Sequence, residues 1–415
     1  MTIQGVYYMR IKNEVMFFMQ YIEYGSPEYR RTFLCMLLGS TVTFAILYCP
    51  QTLINIFSKE FHILPSTASM TVSFATFTLA VSMLLMTVFS NTWGRKKIMC
   101  ASLLLASLLN ILAAFSPNFK TLTLIRIIQG IAMSGFPAIA MTYLSEEISP
   151  AIIGRIMGIY VSGCAFGGFT GRFIVSTLTD FFSWKIAIFT LGLFSFICSL
   201  LFWKYLPESK NFKKANLSFA SWKSGIISGL KNKRLLYIYA MGFLLLGVYV
   251  ALFNYIGFPL SNPPYHLSQT LIGFLFIFQL AGSWSSYVFG KLTEKYSRTR
   301  LISWAILMAL AGSLLTLSSH ILILIIGLIL FASGFLAAHS IASGWIGILS
   351  DPRSKAYASS LYLLFYYTGS SVIGWSGGIF LTFIGWSGVI LMVGGLLVLT
   401  GLLVMVMSQS LRLGV

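Results

Sequence analysis

The chain has 415 residues, of which 57% are apolar or aromatic and only 9% are charged, with a mean hydropathy of +0.85. A soluble domain carries about 25% charged residues, so a water-soluble globule, a disordered chain and a disulfide scaffold are all poor fits. The net charge of +18, from 28 basic and 10 acidic residues, would suggest nucleic acid in a soluble protein; here it must first be asked where the charges lie.

In chain order, residues 1–30 form an N-terminal segment whose apolar stretch Val15–Tyr21 is too short to span a bilayer. That stretch is expected to lie at the membrane surface, and no cleavable leader is evident. Twelve apolar windows follow, near 31–54, 68–90, 98–115, 121–143, 152–175, 184–204, 236–258, 269–291, 300–318, 321–346, 356–380 and 386–408. Each can cross ~30 Å of hydrocarbon at about 1.5 Å per residue. The hydrophilic stretch 205–235 separates a six-helix bundle at 31–204 from a second at 236–408, and 409–415 forms a tail. The expected class is therefore an all-α polytopic membrane protein.

Placed on this path, 23 of the 28 Lys and Arg residues fall in segments on the side of the N-terminus. Basic loops resist translocation and meet anionic lipid, so both termini are expected to face the cytoplasm. The charge is then mostly an orientation signal, and nucleic acid is not an expected partner. Arg126 alone is expected well inside a span, with Arg172 near a span end. Cys35, Cys49, Cys100, Cys164 and Cys198 fall in spans without paired spacing, so neither disulfides nor a metal site is indicated.

The halves are weakly similar at an offset of about 203 residues. GRKK at 94–97 faces SRTR at 297–300, and FFSWKIAIF at 181–189 faces FIGWSGVIL at 383–391. Two six-span repeats about an axis along the membrane normal are the architecture of major facilitator transporters, with a site between the halves.

Several motifs carry the same likeness. The turn TVFSNTWGRKK at 87–97 resembles the G-x-x-x-D-R-x-G-R-K loop of the major facilitator superfamily, with Asn91 in place of the acid and Gly94 and Arg95 retained. The second copy, GKLTEKYSRTR at 290–300, keeps Gly290, Glu294 and Arg298. The resemblance implies a latch between the cytoplasmic ends of the halves; positive-inside anchoring is the alternative. LTLIRIIQG at 122–130 is similar to the fourth-span motif L-x-x-x-R-x-x-Q-G. Arg126 thereby inherits a role in proton transfer or substrate contact, a structural hydrogen-bond hub being the alternative. In the fifth span Gly163, Gly167 and Gly171 form one smooth helix face, which allows close helix approach and resembles the glycine motif of exporters without its proline. Segments such as YIEYGSPEYRR at 21–31, FNYIGFPL at 253–260 and SSLYLLFYYTGSS at 359–371 resemble the YnfM-type branch of bacterial inner-membrane transporters, near the drug:proton antiporters.

None of the ten acids lies at the centre of a predicted span, which argues against a membrane carboxylate alternating between proton and cationic substrate. Of four histidines, His339 alone lies mid-span. A pKa near neutrality suits histidine to carry protons; a neutral, hydrogen-bonded ring is the alternative. Polar and aromatic groups on the spans that line the path in this fold are the cavity candidates: Tyr48, Gln51, Gln129, Asn254 and Tyr255, with Tyr366 from the eleventh span. The expected function is proton-coupled export of small neutral or anionic organic molecules by a monomer in the bacterial inner membrane, without a cofactor. Uptake or facilitated diffusion by the same fold is the alternative. A membrane-embedded enzyme or sensor is disfavoured, because the chain has no H-E-x-x-H motif, P-loop or soluble output domain.

Overall fold

A computed structural model describes residues 21–212, 219–350 and 355–412. The surface stretch expected at Val15–Tyr21 therefore lies almost wholly outside the described residues, as do the last three residues of the tail.

Helices run back and forth between two faces. In the first half they are α1 Pro27–Glu60, α2 Pro65–Trp93, α3 Arg95–Ala114, α4 Phe119–Glu147, α5 Ile153–Phe181 and α6 Trp184–Tyr205. A helix at Phe219–Lys231, α7, lies in the linker. The second half comprises α8 Lys233–Ser261, α9 Gln269–Leu292, α10 Arg298–Leu315, α11 Ile321–Leu349, α12 Lys355–Ile384 and α13 Trp386–Arg412. Among the described residues, ten of these are long and apolar enough to cross a membrane. Two others, α5 and α12, rich in glycine, serine and tyrosine, bring the crossings to twelve.

Local chemistry sets the helix ends. Ser26 caps α1 by accepting from the Tyr29 amide, with Pro27 in the first turn, where its missing N–H costs nothing. Asn118, Ser183 and Ser268 cap α4, α6 and α9 in the same way. Between α2 and α3 the chain reverses on a single residue, Gly94, at φ +92°, a conformation that a Cβ would strain. Pro50 breaks α1 into a 3-10 turn at Cys49–Leu53, since proline cannot donate to the helical ladder.

The burial pattern is that of a bundle in lipid. Leu105, Leu108 and Leu112 form an exposed stripe on α3, while Asn110, Gln129, Arg126 and Asn254 are buried. Lipid solvates the leucines, whereas interior polar groups must find partners within the protein.

Packing repeats between the halves. α1 lies along α5, as α8 lies along α12, and the interface pairs α2 with α12 and α5 with α9. The first span thus meets the fifth as the seventh meets the eleventh. That is the twofold relation expected from the repeat.

Candidate functional site: the interface between the halves

At the face opposite the chain ends the halves are closed. The Asp180 carboxylate at the end of α5 accepts from the Gln269 and Thr270 amides at the start of α9, at 3.1 and 2.8 Å. Gln269 also donates to the Thr52 carbonyl, and its Oε1 accepts from Asn55 at 3.4 Å. Deeper in, Gln51 Nε2 donates to Asn254 Oδ1 at 2.8 Å. These two residues are 203 apart, the repeat offset itself. At that offset they are corresponding positions of the two repeats, in contact across the interface.

Towards the chain ends, a Cβ on Gly154 or Gly158 of α5, Gly290 of α9 or Gly344 of α11 would have no heavy atom within 4 Å.

Arg126, 1% exposed, is bound wholly within the first half. Its Nε donates to the Thr71 carbonyl at 2.8 Å, Nη2 to the Leu47 carbonyl at 2.7 Å, and Nη1 to Gln129 at 2.5 Å and to the Ile46 carbonyl at 3.1 Å. The ladder donor for Ile46 would be residue 50, which is proline. The guanidinium fills the vacancy that Pro50 creates. Gln129 passes the network on to the Ala106 carbonyl and Asn110 on α3. Arg126 therefore ties four helices together around the break in α1.

The expectation that Arg126 alone lies deep is corrected. Arg172 is 3% exposed, because α5 continues to Phe181, six residues past the expected end at 175. At about 1.5 Å per residue, Arg172 lies roughly 13 Å from that helix end. Its Nε and Nη2 donate to Gln51 Oε1 at 2.8 and 2.6 Å, and Nη1 donates to the Gly168 carbonyl at 2.6 Å and to Gln279 of the second half at 3.4 Å. The guanidinium is sandwiched between the rings of Tyr48 at 4.6 Å and Phe276 at 4.8 Å. A buried arginine costs at least about 2.5–3.5 kcal/mol on insertion scales, and here stacking and amide oxygens offset that cost. The glycine run ending at Gly171 and the lack of any breaker before Ser183 were the available signals.

The second half faces this charge with aromatic rings. His339 Nδ1 and the Tyr362 hydroxyl share a hydrogen bond of 2.8 Å. The His339 ring lies 4.5 Å from Tyr366 and 6.0 Å from Phe335, both nearly parallel, and Phe335 stacks on Tyr249 at 4.0 Å. Tyr48, Tyr249, His339 and Tyr366 are only half-buried. Tyr249, Phe335 and Tyr362 were not singled out in sequence, where nothing distinguishes them from ordinary packing aromatics. Tyr255, by contrast, is fully buried and donates to the Trp375 carbonyl at 3.2 Å. It belongs to the closed face, not to an open cavity.

At the other face, Arg95 donates to Glu146 at 2.7 and 3.1 Å and to Ser90 at 2.5 Å, and lies over the Phe212 ring. Lys96 pairs with Glu208 at 2.9 Å. These contacts hold α3 to α4 and to the linker, inside one half. Among the described residues, no ion pair joins Glu294 or Arg298 to the first half. Asn91 also sits in this turn. Gly163, Gly167 and Gly171 all face α1: a Cβ on Gly167 or Gly171 would come within 3 Å of the Thr41 or Ala45 backbone, and one on Gly163 would strike the Ser40 hydroxyl. Close packing fully accounts for all three.

The family model "Major Facilitator Superfamily" matches residues 35–262 and 258–410. The chain is 42% identical over 375 residues to the uncharacterized MFS-type transporter YybF of Bacillus subtilis (strain 168), covering 90% of this chain and 93% of that one. It is 39% identical over 370 residues to the inner membrane transport protein YnfM of Escherichia coli (strain K12), covering 89% and 88%. Among solved structures, a bacterial homologue of the human lysosomal transporter Spinster, inward-facing and occupied, superposes with a TM-score of 0.77 at 14% identity, covering 93% and 98% of the two chains. With its two six-helix halves and a polar interface between them, the chain belongs to the Major Facilitator Superfamily and is a multi-pass membrane transporter, not an enzyme.

Proposed function

We propose that the protein exports small organic molecules from the bacterial cytoplasm by alternating access, coupled to protons, as a monomer in the inner membrane with both termini cytoplasmic. One observation carries this reading. Half-buried polar and aromatic groups from both halves, Tyr48, Tyr249, His339 and Tyr366, meet at mid-depth beneath a closed outer face. A site reached from one side and sealed on the other is half of an alternating cycle.

In this reading His339 is the proton-coupling group, because it is the one histidine at that depth and its ring is held by Tyr362 and Tyr366. Arg126 and Gln129 position α1, which carries Tyr48 and Gln51 into the site. Asn254 and Tyr255 belong to the outer closure. Gly94, Gly290, Asn91, Arg95, Glu294 and Arg298 form the inner latch, which closes in the opposite state.

Purified protein in liposomes with an imposed pH gradient tests the proposal. It should accumulate members of a labelled panel of organic compounds and move protons with them. Failure of every compound to move, with no substrate-dependent proton flux, refutes it.

A further inference from the structure

Two buried guanidiniums, Arg126 and Arg172, lie in the first half, 1% and 3% exposed. Their partners are amide oxygens and carbonyls. Among the described residues no carboxylate lies in the middle of a span: Glu60, Glu146, Glu147 and Asp180 are all at helix ends. Neutral dipoles solvate a charge without cancelling it, so the interior holds an uncompensated positive field in a low-dielectric medium. Arg126 is locked inside its own half. Arg172 stands at the interface, touching Gln279 and Phe276 of the other half.

The second half carries a wall of stacked rings. Tyr249 and Phe335 stack at 4.0 Å with an interplanar angle of 22°. Phe335 and His339 are inclined at 13°, and His339 and Tyr366 at 27°. The wall runs on to the cation through ring contacts: Tyr249 packs on Phe253 at 4.8 Å, Phe253 on Phe276 at 5.4 Å, and Phe276 lies against Arg172.

We infer that the substrate is a planar aromatic monoanion, a benzoate-like carboxylate or sulfonate, with its charge towards Arg172 and its ring against the Tyr249–Phe335–His339–Tyr366 wall. This rests on the transport reading above and narrows it. The Arg172 fork holds the Gln51 amide oxygen, and a carboxylate, flat and charged, is the stronger acceptor for those same donors. Ring faces repel an anion but take another ring in offset stacking, which fixes the orientation. A cationic compound would meet two like charges without an acid to shield them. An aliphatic anion would leave the flat wall poorly covered.

The test is equilibrium binding of labelled benzoate to the purified full-length protein in detergent, displaced by a panel. Benzoate and benzenesulfonate should compete, with benzamide and benzylamine weaker by roughly tenfold or more. Cyclohexanecarboxylate should be weaker by roughly threefold to tenfold, the worth of ring–ring contact. Arg172→Gln should lower affinity by roughly tenfold or more, Arg172→Lys by less. Tyr249→Leu should remove the preference for the ring while keeping the preference for the charge. If Arg172→Gln fails to fold, the panel on the native protein and the Lys variant still decide. Benzamide or benzylamine binding as tightly as benzoate overturns the anion assignment. Equal affinity for cyclohexanecarboxylate overturns the aromatic one, and absence of saturable binding across the panel overturns both. Saturable benzoate binding without movement in liposomes would sink the transport reading instead. Transport of neutral or cationic compounds by a protein that ignores benzoate would uphold transport and end this proposal.

Discussion

The two halves share a helical plan and differ in what they place at its centre. The first half builds a hydrogen-bonded network around Arg126, Gln129, Asn110, Arg172 and Gln51. The second builds a stack of rings around Tyr249, Phe335, His339 and Tyr366. The stretch of the second half equivalent to Arg172, around Trp375, has no cation at all. The common packing of α1 on α5 and of α8 on α12 survives this divergence because it is governed by small residues and apolar faces. The central side chains are free to specialise, one half in charge and the other in shape.

The comparison can be broken most severely at Arg126. Arg126→Ala should reduce liposome counterflow by roughly a hundredfold, equivalent to about 2.7 kcal/mol, with the protein still in the membrane fraction. It should also lower the thermal midpoint, since each carbonyl left without its donor costs about 1–3 kcal/mol. Wild-type counterflow in this variant would show that the polar network is dispensable.

Next in size is the packing that the halves share. Gly167→Val would push a side chain into the Thr41 backbone, whereas Gly158→Val enters open space. Overpacking costs about 1–3 kcal/mol, so thermal unfolding in detergent should separate the two variants clearly. Equal midpoints would remove the glycine face from the fold's requirements.

His339→Gln sharpens the distinction between charge and shape. Glutamine can still bond to Tyr362 but cannot take up a proton. Substrate exchange should persist while accumulation driven by a pH gradient falls roughly tenfold, the equivalent of about 1.4 kcal/mol of lost coupling. Unchanged gradient-driven accumulation would move proton coupling elsewhere.

At the closed face, Asp180→Asn weakens the acceptor for two amides at the start of α9. Labelling of a cysteine placed at the buried Ser66, in a protein lacking its native cysteines, by an impermeant maleimide should quicken severalfold, as expected for about 1 kcal/mol lost at an exposed helix terminus. The smallest effect is expected at Glu146→Gln. Its pair with Arg95 is partly exposed, and such pairs are worth about 0–1 kcal/mol, so the midpoint should barely move.

Much of the path was legible in the sequence. Length and polarity located the crossings, because a segment in lipid must be long, apolar and helical. The offset of about 203 related the halves, and the Gln51–Asn254 contact has that same separation. The depth of Arg172 was not legible from hydropathy, because the Ser, Thr and Asp residues that follow it resemble a loop, although α5 continues through them. Nor could the local pattern decide which of 35 phenylalanines and 20 tyrosines stack on His339. That choice is made by helices α8, α11 and α12 meeting in space. Arg126 was found by its sequence setting, yet its partners depend on a proline seventy-six residues earlier in the chain.

The Gln51–Asn254 bond also has the chemistry that twofold symmetry demands. If a repeat begins as two identical chains paired about a twofold axis, a residue on that axis must bind its own copy. A carboxylate or an ammonium would repel itself there. A carboxamide is self-complementary, with a donor and an acceptor on one head. Gln51 and Asn254 differ by one methylene, and each still offers the other a carboxamide.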